Sequence, residues 1–334
     1  MAVYNGGHYL PELLTTTRSQ TFRDYEWIIV DDGSTDGTRE LLRAAAGSEP
    51  RIVLIENDQN IGLAKSLNRG LDAVRGRYIA RLDADDRLHP ERLARQFAYL
   101  EAHPEIGILG TQMDLIDSAG QSAGVYRVSC DHDRIVWMFL FGSLIAHPTV
   151  MIRRTVIEAV GKYDPFFTCT EDIDLWVRCI GHAQFANLPD ALYDYRKHPG
   201  SVSVKKADLQ QAEMRQLRAR WIQKQLQVTV EDALLHHLIR SQAPRTRLDQ
   251  GFTEAERNAC TELIFQLYHG FCSQGIIRDT PALRALLAEQ VTRIARYSEA
   301  VVEPAELIRH WENRAGKMIL KALRRLHLLP NGWS

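Results

Sequence analysis

Three acidic clusters in this sequence crowd carboxylates more closely than ordinary solvated surface requires. The first, Val30-Asp31-Asp32-Gly33-Ser34-Thr35-Asp36-Gly37, follows an apolar run and precedes a helical pattern. Ser34, Thr35 and Asp36 are good helix-capping types and Gly33 permits a tight turn, but capping leaves the adjacent Asp31 and Asp32 unexplained. Two carboxylates at the end of a buried strand are costly unless a ligand hydroxyl or a base N–H uses them. The second cluster, Leu82-Asp83-Ala84-Asp85-Asp86, puts three carboxylates within four residues. A divalent cation with hard oxygen ligands, magnesium or manganese, is the simplest compensation, and Asp86 as a helix cap is the structural alternative. An EF-hand is excluded because Leu88 stands where that loop needs its sixth-position glycine. The third cluster, Thr170-Glu171-Asp172-Ile173-Asp174-Leu175-Trp176, opens a helix, where acids answer the helix dipole; taken alone it reads as structural.

Positioning these acids requires an alternating frame. Tyr25 to Val30, Arg51 to Ile55, Tyr78 to Leu82 and Ile106 to Leu109 are compact apolar runs bounded by turn residues, the pattern of buried strands. Helical patterns lie between them, at His8 to Ser19, Gly37 to Ala46, Leu63 to Val74 and Pro90 to Ala102. The alternation predicts an α/β fold, a mostly parallel sheet flanked by helices, with ligand sites beyond the C-terminal ends of the strands, where the first two clusters fall. The first strand has about three residues before Tyr4, Asn5 and Gly6, against the ~5–6 of a usual strand, so Met1 reads as an internal residue of it. Further on, residues 129 to 142 read as a helix, Ala146 to Ile152 as a strand and Glu171 to Ile180 as a helix with Ile173, Trp176, Val177 and Ile180 on its apolar stripe. Two short strands are expected near Gln184 to Asn187 and Ala191 to Tyr195. Strand signals then stop. Helices are expected at Leu209 to Gln227, Val230 to Arg240, Glu254 to Gln274, Pro281 to Tyr297 and Pro304 to Leu329, giving domains 1–204 and 205–334, the second all-helical.

The ordered set AVYNG (2 to 6), SQTFRDYEWIIVDDGSTDGT (19 to 38), NIGLAKSLNRGLDAVRGRYIARLDADD (60 to 86), HPTVMIRR (147 to 154) and TEDIDLW (170 to 176) resembles the family 2 glycosyltransferases of the GT-A, Rossmann-like fold, from Met1 to about residue 203. The resemblance implies a nucleotide-diphosphate-sugar donor, an inverting transfer and a divalent metal, Mg2+ or Mn2+. Carried over residue by residue, it implies Asp32 as the carboxylate for the nucleotide base with Tyr4 beside it, and Asp83 and Asp85 as the DxD motif. Asp85 is then the direct metal ligand, and Asp83 the ribose contact close to that metal. Asp172 matches the general base, with Glu171 orienting it or the acceptor. His198, in the basic stretch from Tyr195, matches a position where the family often has a histidine; contact with the diphosphate and a solvated loop are equal alternatives. His147, before Pro148, reads as a hydrogen-bonded core histidine.

Within that resemblance the chemistry is consistent. A metal bridging the phosphates would neutralise the leaving nucleoside diphosphate, and a carboxylate on the opposite face of the sugar would deprotonate the acceptor hydroxyl. A helix N-terminus lowers the pKa of Asp172 while neighbouring acids raise it, and the sequence does not decide between them. Processive members carry a QxxRW motif; Gln216 to Trp221 spells QLRARW, one residue too long, which favours transfer of a single sugar, UDP-hexose being the expected donor. The acceptor class is a saccharide or lipid-linked hydroxyl in cell-surface polysaccharide or lipopolysaccharide synthesis.

Composition narrows the rest. Lys and Arg number 41 against 42 Asp and Glu, so no positive surplus drives nucleic-acid binding. The five cysteines are scattered without CxxC spacing and read as buried thiols in a reducing compartment. No apolar stretch approaches the ~20 residues of a membrane helix, which makes a cytoplasmic chain the expectation. Residues 317 to 329 (KMILKALRRLHLL) combine an apolar stripe with Lys317, Lys321, Arg324 and Arg325, the pattern either of a helix lying on the inner face of the plasma membrane or of one packed within the helical domain. Two rival functions are an inert sugar-nucleotide binder and an aspartate-dependent phosphohydrolase using Asp83. The second leaves TEDIDLW without a task and meets Arg87 at the fifth position of its motif.

Overall fold

A computed structural model describes residues 1–198, 200, 206–242 and 251–296. The chain divides into two compact units, Met1–Met214 and Arg215–Ser334. In the first unit the described elements run β1 (Ala2–Val3), α1 (Leu10–Arg18), β2 (Trp27–Asp31), α2 (Thr38–Ser48), β3 (Ile52–Glu56), α3 (Leu63–Asp72), β4 (Tyr78–Ala80), β5 (Arg87–Leu88), α4 (Arg92–Ala102), β6 (Ile106–Ile116), β7 (Ser122–Tyr126), α5 (His132–Met138), β8 (Met151–Arg153), α6 (Arg154–Val160), α7 (Glu171–Cys179) and β9 (Gln184–Arg196). Helix α8 (Ala207–Leu226) crosses the division, and α9 (Asp232–Arg240), α10 (Glu254–Ser273) and α11 (Pro281–Arg296) follow. The helix expected over Pro304 to Leu329, with its basic stretch 317 to 329, lies outside the described residues, as does the expected boundary at 204.

The strands form two sheets. The first, in the order β1-β2-β3, is wholly parallel, with Trp27 opposite Ile52 and Asp31 opposite Glu56. All five residues of β2 are buried, so the strand must be covered on both faces, as parallel strands in α/β proteins are. Val3, Trp27 and Ile29 pack with Leu10, Leu13 and Leu42 from α1 and α2. On α3, Gly70 lies against β2, where a Cβ would stand in ordinary contact with Val30 Cγ2 at 3.4 Å and Ile28 Cγ2 at 3.8 Å. The second sheet runs β4-β8-β6-β9-β5, with β7 pairing β6. Its longest ladder, β6 with β9, is parallel, and its shorter ones are antiparallel.

Several expectations change. Ala146 to Ile152 is not one strand: His147–Thr149 forms a 3-10 turn, and β8 starts only at Met151. Pro148 has no N–H to give a ladder, and both Thr149 N and Thr149 Oγ1 donate to Ala146 O, at 2.9 Å each. The two strands expected around 184 to 195 are one, β9, whose register slips between Thr111 and Gln112 and so absorbs Pro189 in an irregularity of the ladder. β6 extends well beyond Leu109. The helix expected over 129 to 142 is only α5, opened by Asp131 accepting from Arg134 N–H at 2.9 Å. Cys130 is exposed and Cys272 half-exposed, so only Cys169, Cys179 and Cys260 are buried thiols.

A cavity of about 750 Å³ opens beside Met1, Trp27, Tyr78 and Phe97 and runs along β4 as far as Arg81, Leu82 and Tyr163. In the second unit, α10 begins with a capping box between Thr253 and Glu256, and its Phe271 packs against Trp221 with ring centroids 4.8 Å apart. Among the described residues no helix is long and apolar enough to cross a membrane.

Candidate active site

The loop after β2 is folded against the loop after β3. Gly33 adopts φ +76°, and a Cβ there would come within 2.4 Å of the Gln59 carbonyl carbon, so the close approach demands glycine. Asp32 accepts from Asn57 Nδ2 at 2.8 Å, Ile61 N–H at 2.9 Å and Gly62 N–H at 3.0 Å. Asp31 accepts from Arg39 Nε at 2.8 Å and Ser34 N–H at 3.1 Å. The pair is therefore compensated by the chain's own donors, which corrects the inference that only a ligand could account for it. Helix α2 is opened by Asp36, whose Oδ1 accepts from Thr38 N–H at 3.1 Å while Oδ2 accepts from Gly7 N–H at 3.2 Å. Tyr4, at the end of β1, is half-exposed at this edge.

The loop after β4 is held by β9. Asp83 N–H donates to the Tyr193 hydroxyl at 3.1 Å, and Arg196 N–H donates to Asp86 Oδ1 at 2.7 Å. Arg196 Nε reaches the Asp85 carbonyl at 2.7 Å, and its other nitrogens bind Glu12 and the Asp117 carbonyl. Asp86 is thus a buried clamp on β9 and not a helix cap. Burial, then the Asp85 and Asp83 charges, pushes its carboxyl well above the usual range. Asp83 and Asp85 keep 29% and 33% of their side chains exposed, so these two of the three carboxylates can meet a ligand. His198 Nε2 lies 2.8 Å from Asp85 Oδ2. Burial and Asp83 raise the Asp85 carboxyl, and the contact with His198 lowers it.

The two exposed carboxylates, Asp83 and Asp85, offer hard oxygen donors of the kind suited to magnesium or manganese. Among the described residues no three His, Cys, Asp or Glu side chains are grouped to hold an ion unaided. Water or the oxygens of a bound ligand would have to complete the shell of such an ion, a common arrangement for magnesium.

Glu171 and Asp172 occupy the first turn of α7. Glu171 is buried with its Oε2 lacking a hydrogen-bond partner, and burial, then the Asp172 charge, pushes its carboxyl up to about 7. Burial likewise pushes Asp172 up to about 6, although its carboxylate accepts from Ile173 N–H at 2.8 Å. Burial outweighs the helix terminus in that contest. Both carboxyls feel two charges from the loop after β4: Asp83 raises them and the Arg81 guanidinium lowers them. Arg81 is 5% exposed, donates to Asp83 Oδ1 at 2.5 Å and binds the Leu82 carbonyl. The acids after β4 and at the start of α7 therefore share one electrostatic neighbourhood.

His147 completes this side as the core histidine expected. It is buried, bonded through Nε2 to the Tyr163 hydroxyl at 2.8 Å, and its pKa is driven well down by burial and by Arg81. Tyr163 is fixed through its backbone by Asn68, at 3.0 Å and 2.8 Å. The sequence did not single out Arg81, Tyr163 or Tyr193, and pointed to Arg196 only as part of the basic stretch from Tyr195. Of the first three, Arg81 carried a signal, as a charged residue in the middle of an otherwise apolar strand run.

Comparison with known proteins agrees with this architecture. The family described as glycosyl transferase family 2 matches residues 1–161. An uncharacterised glycosyltransferase of Methanocaldococcus jannaschii is 32% identical over 200 residues, 59% of this chain and 69% of that protein. The amylovoran biosynthesis glycosyltransferase AmsE of Erwinia amylovora is 30% identical over 199 residues, covering 59% and 73%. Among solved structures, S. aureus TarS 1-349 in complex with UDP-GlcNAc superposes with a TM-score of 0.55 at 17% identity, covering 97% of this chain and 90% of that one. The mannosyltransferase PcManGT of Pyrobaculum calidifontis, with GDP-Man and Mn2+, gives 0.50 at 17% identity, covering 97% and 85%. These structural likenesses speak to the fold. With the relatives' identity and coverage, they make this chain a member of glycosyl transferase family 2 with the GT-A fold.

Proposed function

We propose that the chain transfers a single hexose from a UDP-sugar to a hydroxyl of a saccharide or lipid-linked acceptor, with inversion at the anomeric carbon, in the assembly of a cell-surface polysaccharide. The observation that carries the reading is that Glu171 and Asp172 share the field of Arg81 and Asp83. An acid that faces the attacking alcohol must lie close to the loop that receives the diphosphate.

In this reading Asp32 and Tyr4 meet the nucleotide base, Asp83 the ribose, and Asp85, with Asp83 near it, holds Mg2+ or Mn2+; His198 orients Asp85 or touches the diphosphate. The metal, when bound, supplies charge neutralisation for the leaving diphosphate. Asp172, with a pKa of about 6, is largely ionised near pH 7.5 and accepts the acceptor hydroxyl's proton as the new bond forms. Glu171, with a pKa of about 7, still holds a proton for about a quarter of the time at that pH, which relieves part of the repulsion that Asp172 must bear. The choice of a saccharide or lipid-linked acceptor, and a peripheral contact with the inner face of the plasma membrane through residues 317 to 329, belong to the proposal.

The test is incubation of the chain with a panel of UDP-, GDP- and dTDP-sugars and Mg2+ or Mn2+, following nucleoside-diphosphate release. Metal-dependent release with one nucleotide family supports the reading. Donor-induced thermal protection without release would mark an inert binder, and release of inorganic phosphate would mark a phosphohydrolase.

A further inference from the structure

Thr170, the residue that precedes α7, has the side chain of a good helix cap but does not serve as one. Its hydroxyl turns away and donates to Glu213 Oε2, on α8, at 3.0 Å. The same oxygen accepts from Cys169 N–H at 3.0 Å, while Oε1 accepts from Thr168 N–H at 3.2 Å and from the Thr168 hydroxyl at 3.1 Å. One turn earlier on α8, Gln210 Nε2 donates to the Cys169 carbonyl at 3.1 Å. Both polar groups of Cys169 are thus held by α8, and one carboxylate, 9% exposed, takes four donors from three consecutive residues.

A buried carboxylate is costly, and four converging donors are what makes this one tolerable. Those donors belong to the segment that leads directly into Glu171 and Asp172. The residues on either side of Glu213, from Leu209 to Gln216, are half-buried or exposed, and buried apolar packing on α8 resumes one turn later, at Leu217. The contact is polar, bidentate and aimed at the backbone, which suits holding a loop in one place better than filling space.

We propose that Glu213 is a positioning residue for the transfer reaction, fixing residues 168 to 170 so that Asp172 is presented to the acceptor hydroxyl, with Gln210 as its auxiliary. The proposal rests on the role given above to Asp172. The hydrogen bonds of the Glu213 carboxylate all go to residues 168 to 170 and to none of the residues assigned to the donor. Its loss should therefore slow the chemical step and leave donor binding alone.

The experiment compares the wild-type chain with Glu213→Ala, Glu213→Gln and Gln210→Ala. For Glu213→Ala, kcat should fall by about 10- to 100-fold, the scale on which small misplacements of a reacting group act. KM for the sugar nucleotide should stay within about twofold, since the donor contacts are untouched. Gln210→Ala, which removes a single hydrogen bond, should show a smaller fall in kcat and serves where Glu213→Ala does not fold. Glu213→Gln keeps one accepting oxygen and should fall between wild type and alanine. Amide hydrogen exchange of the peptide spanning 168 to 174, in the donor-free chain, should accelerate in all three variants. Wild-type kcat in all three, or a rise in KM matching the loss of kcat, would overturn the proposal, as would unchanged exchange. If the wild-type chain releases no nucleoside diphosphate with any donor, the assigned function fails, while the exchange comparison still decides whether Glu213 holds this loop.

Discussion

His198 Nε2 lies 2.8 Å from Asp85 Oδ2, so the imidazole engages one of the two oxygens through which Asp85 could meet a cation. It packs in turn beside Tyr9, with ring centroids 5.3 Å apart. A partner that orients a metal-binding carboxylate usually matters about 10- to 100-fold in affinity. His198→Ala should accordingly raise the Mn2+ concentration for half-maximal nucleoside-diphosphate release by about tenfold or more. A metal titration at saturating donor reads this, and an unchanged midpoint would separate His198 from the metal.

Arg81 links the donor-side loop to the acids of α7. It holds Asp83 directly and lowers the pKa of both Glu171 and Asp172 through its charge. Arg81→Met removes that charge, so both carboxyls should titrate at higher pH. Asp172 must be ionised to act as a base, and the acid limb of the kcat profile should move toward higher pH. The chain should also lose stability, because Asp83 and the Leu82 carbonyl lose their donor. A pH profile of kcat decides; a limb that stays in place would show that Arg81 does not act on the base.

The raised carboxyls have a consequence for stability. Glu171 goes from its ordinary 4.5 to about 7 in the folded chain, so folding favours its protonated form. Its stabilising contribution is complete below about pH 4.5 and is lost as pH rises through 7. Glu171→Gln cannot ionise, and relative to wild type it should gain about 1–3 kcal/mol between pH 4.5 and 8. Any fixed cost of the buried amide is the same at both pH values, so the difference between them is the readout. Denaturant melts at the two pH values measure it, and a gap that does not change with pH would contradict the assignment.

The sequence displayed the acidic clusters because each is local: a strand end, a turn and a helix start lie within a dozen residues. Helices α1 to α4 and strands β2 to β4 were legible for the same reason. What holds the clusters was not. Tyr193 and Arg196 reach Asp83 and Asp86 across 110 residues of chain, and Glu213 reaches Thr168 across 45. No periodicity reports such partners. β7 was invisible because all five of its residues are exposed, which leaves no apolar alternation to read. β9 looked like two strands because Pro189 interrupts it, and only the register slip opposite Thr111 and Gln112 shows how it continues. The carboxylates at the end of β2 looked unpaired because Arg39, Asn57 and the backbone of Ile61 and Gly62 come from other elements.

The central claim is that Asp172 acts on the acceptor while Asp85 serves the donor. Its most direct test measures donor dissociation constant and kcat for Asp172→Asn and Asp85→Asn side by side with the preferred sugar nucleotide and Mn2+. Loss of a general base costs about 10²- to 10⁴-fold. Asp172→Asn should lose kcat on that scale and bind donor as wild type does, whereas Asp85→Asn should weaken metal-dependent donor binding. Transfer at the wild-type rate by Asp172→Asn, or equal loss of donor binding in both variants, would contradict the account.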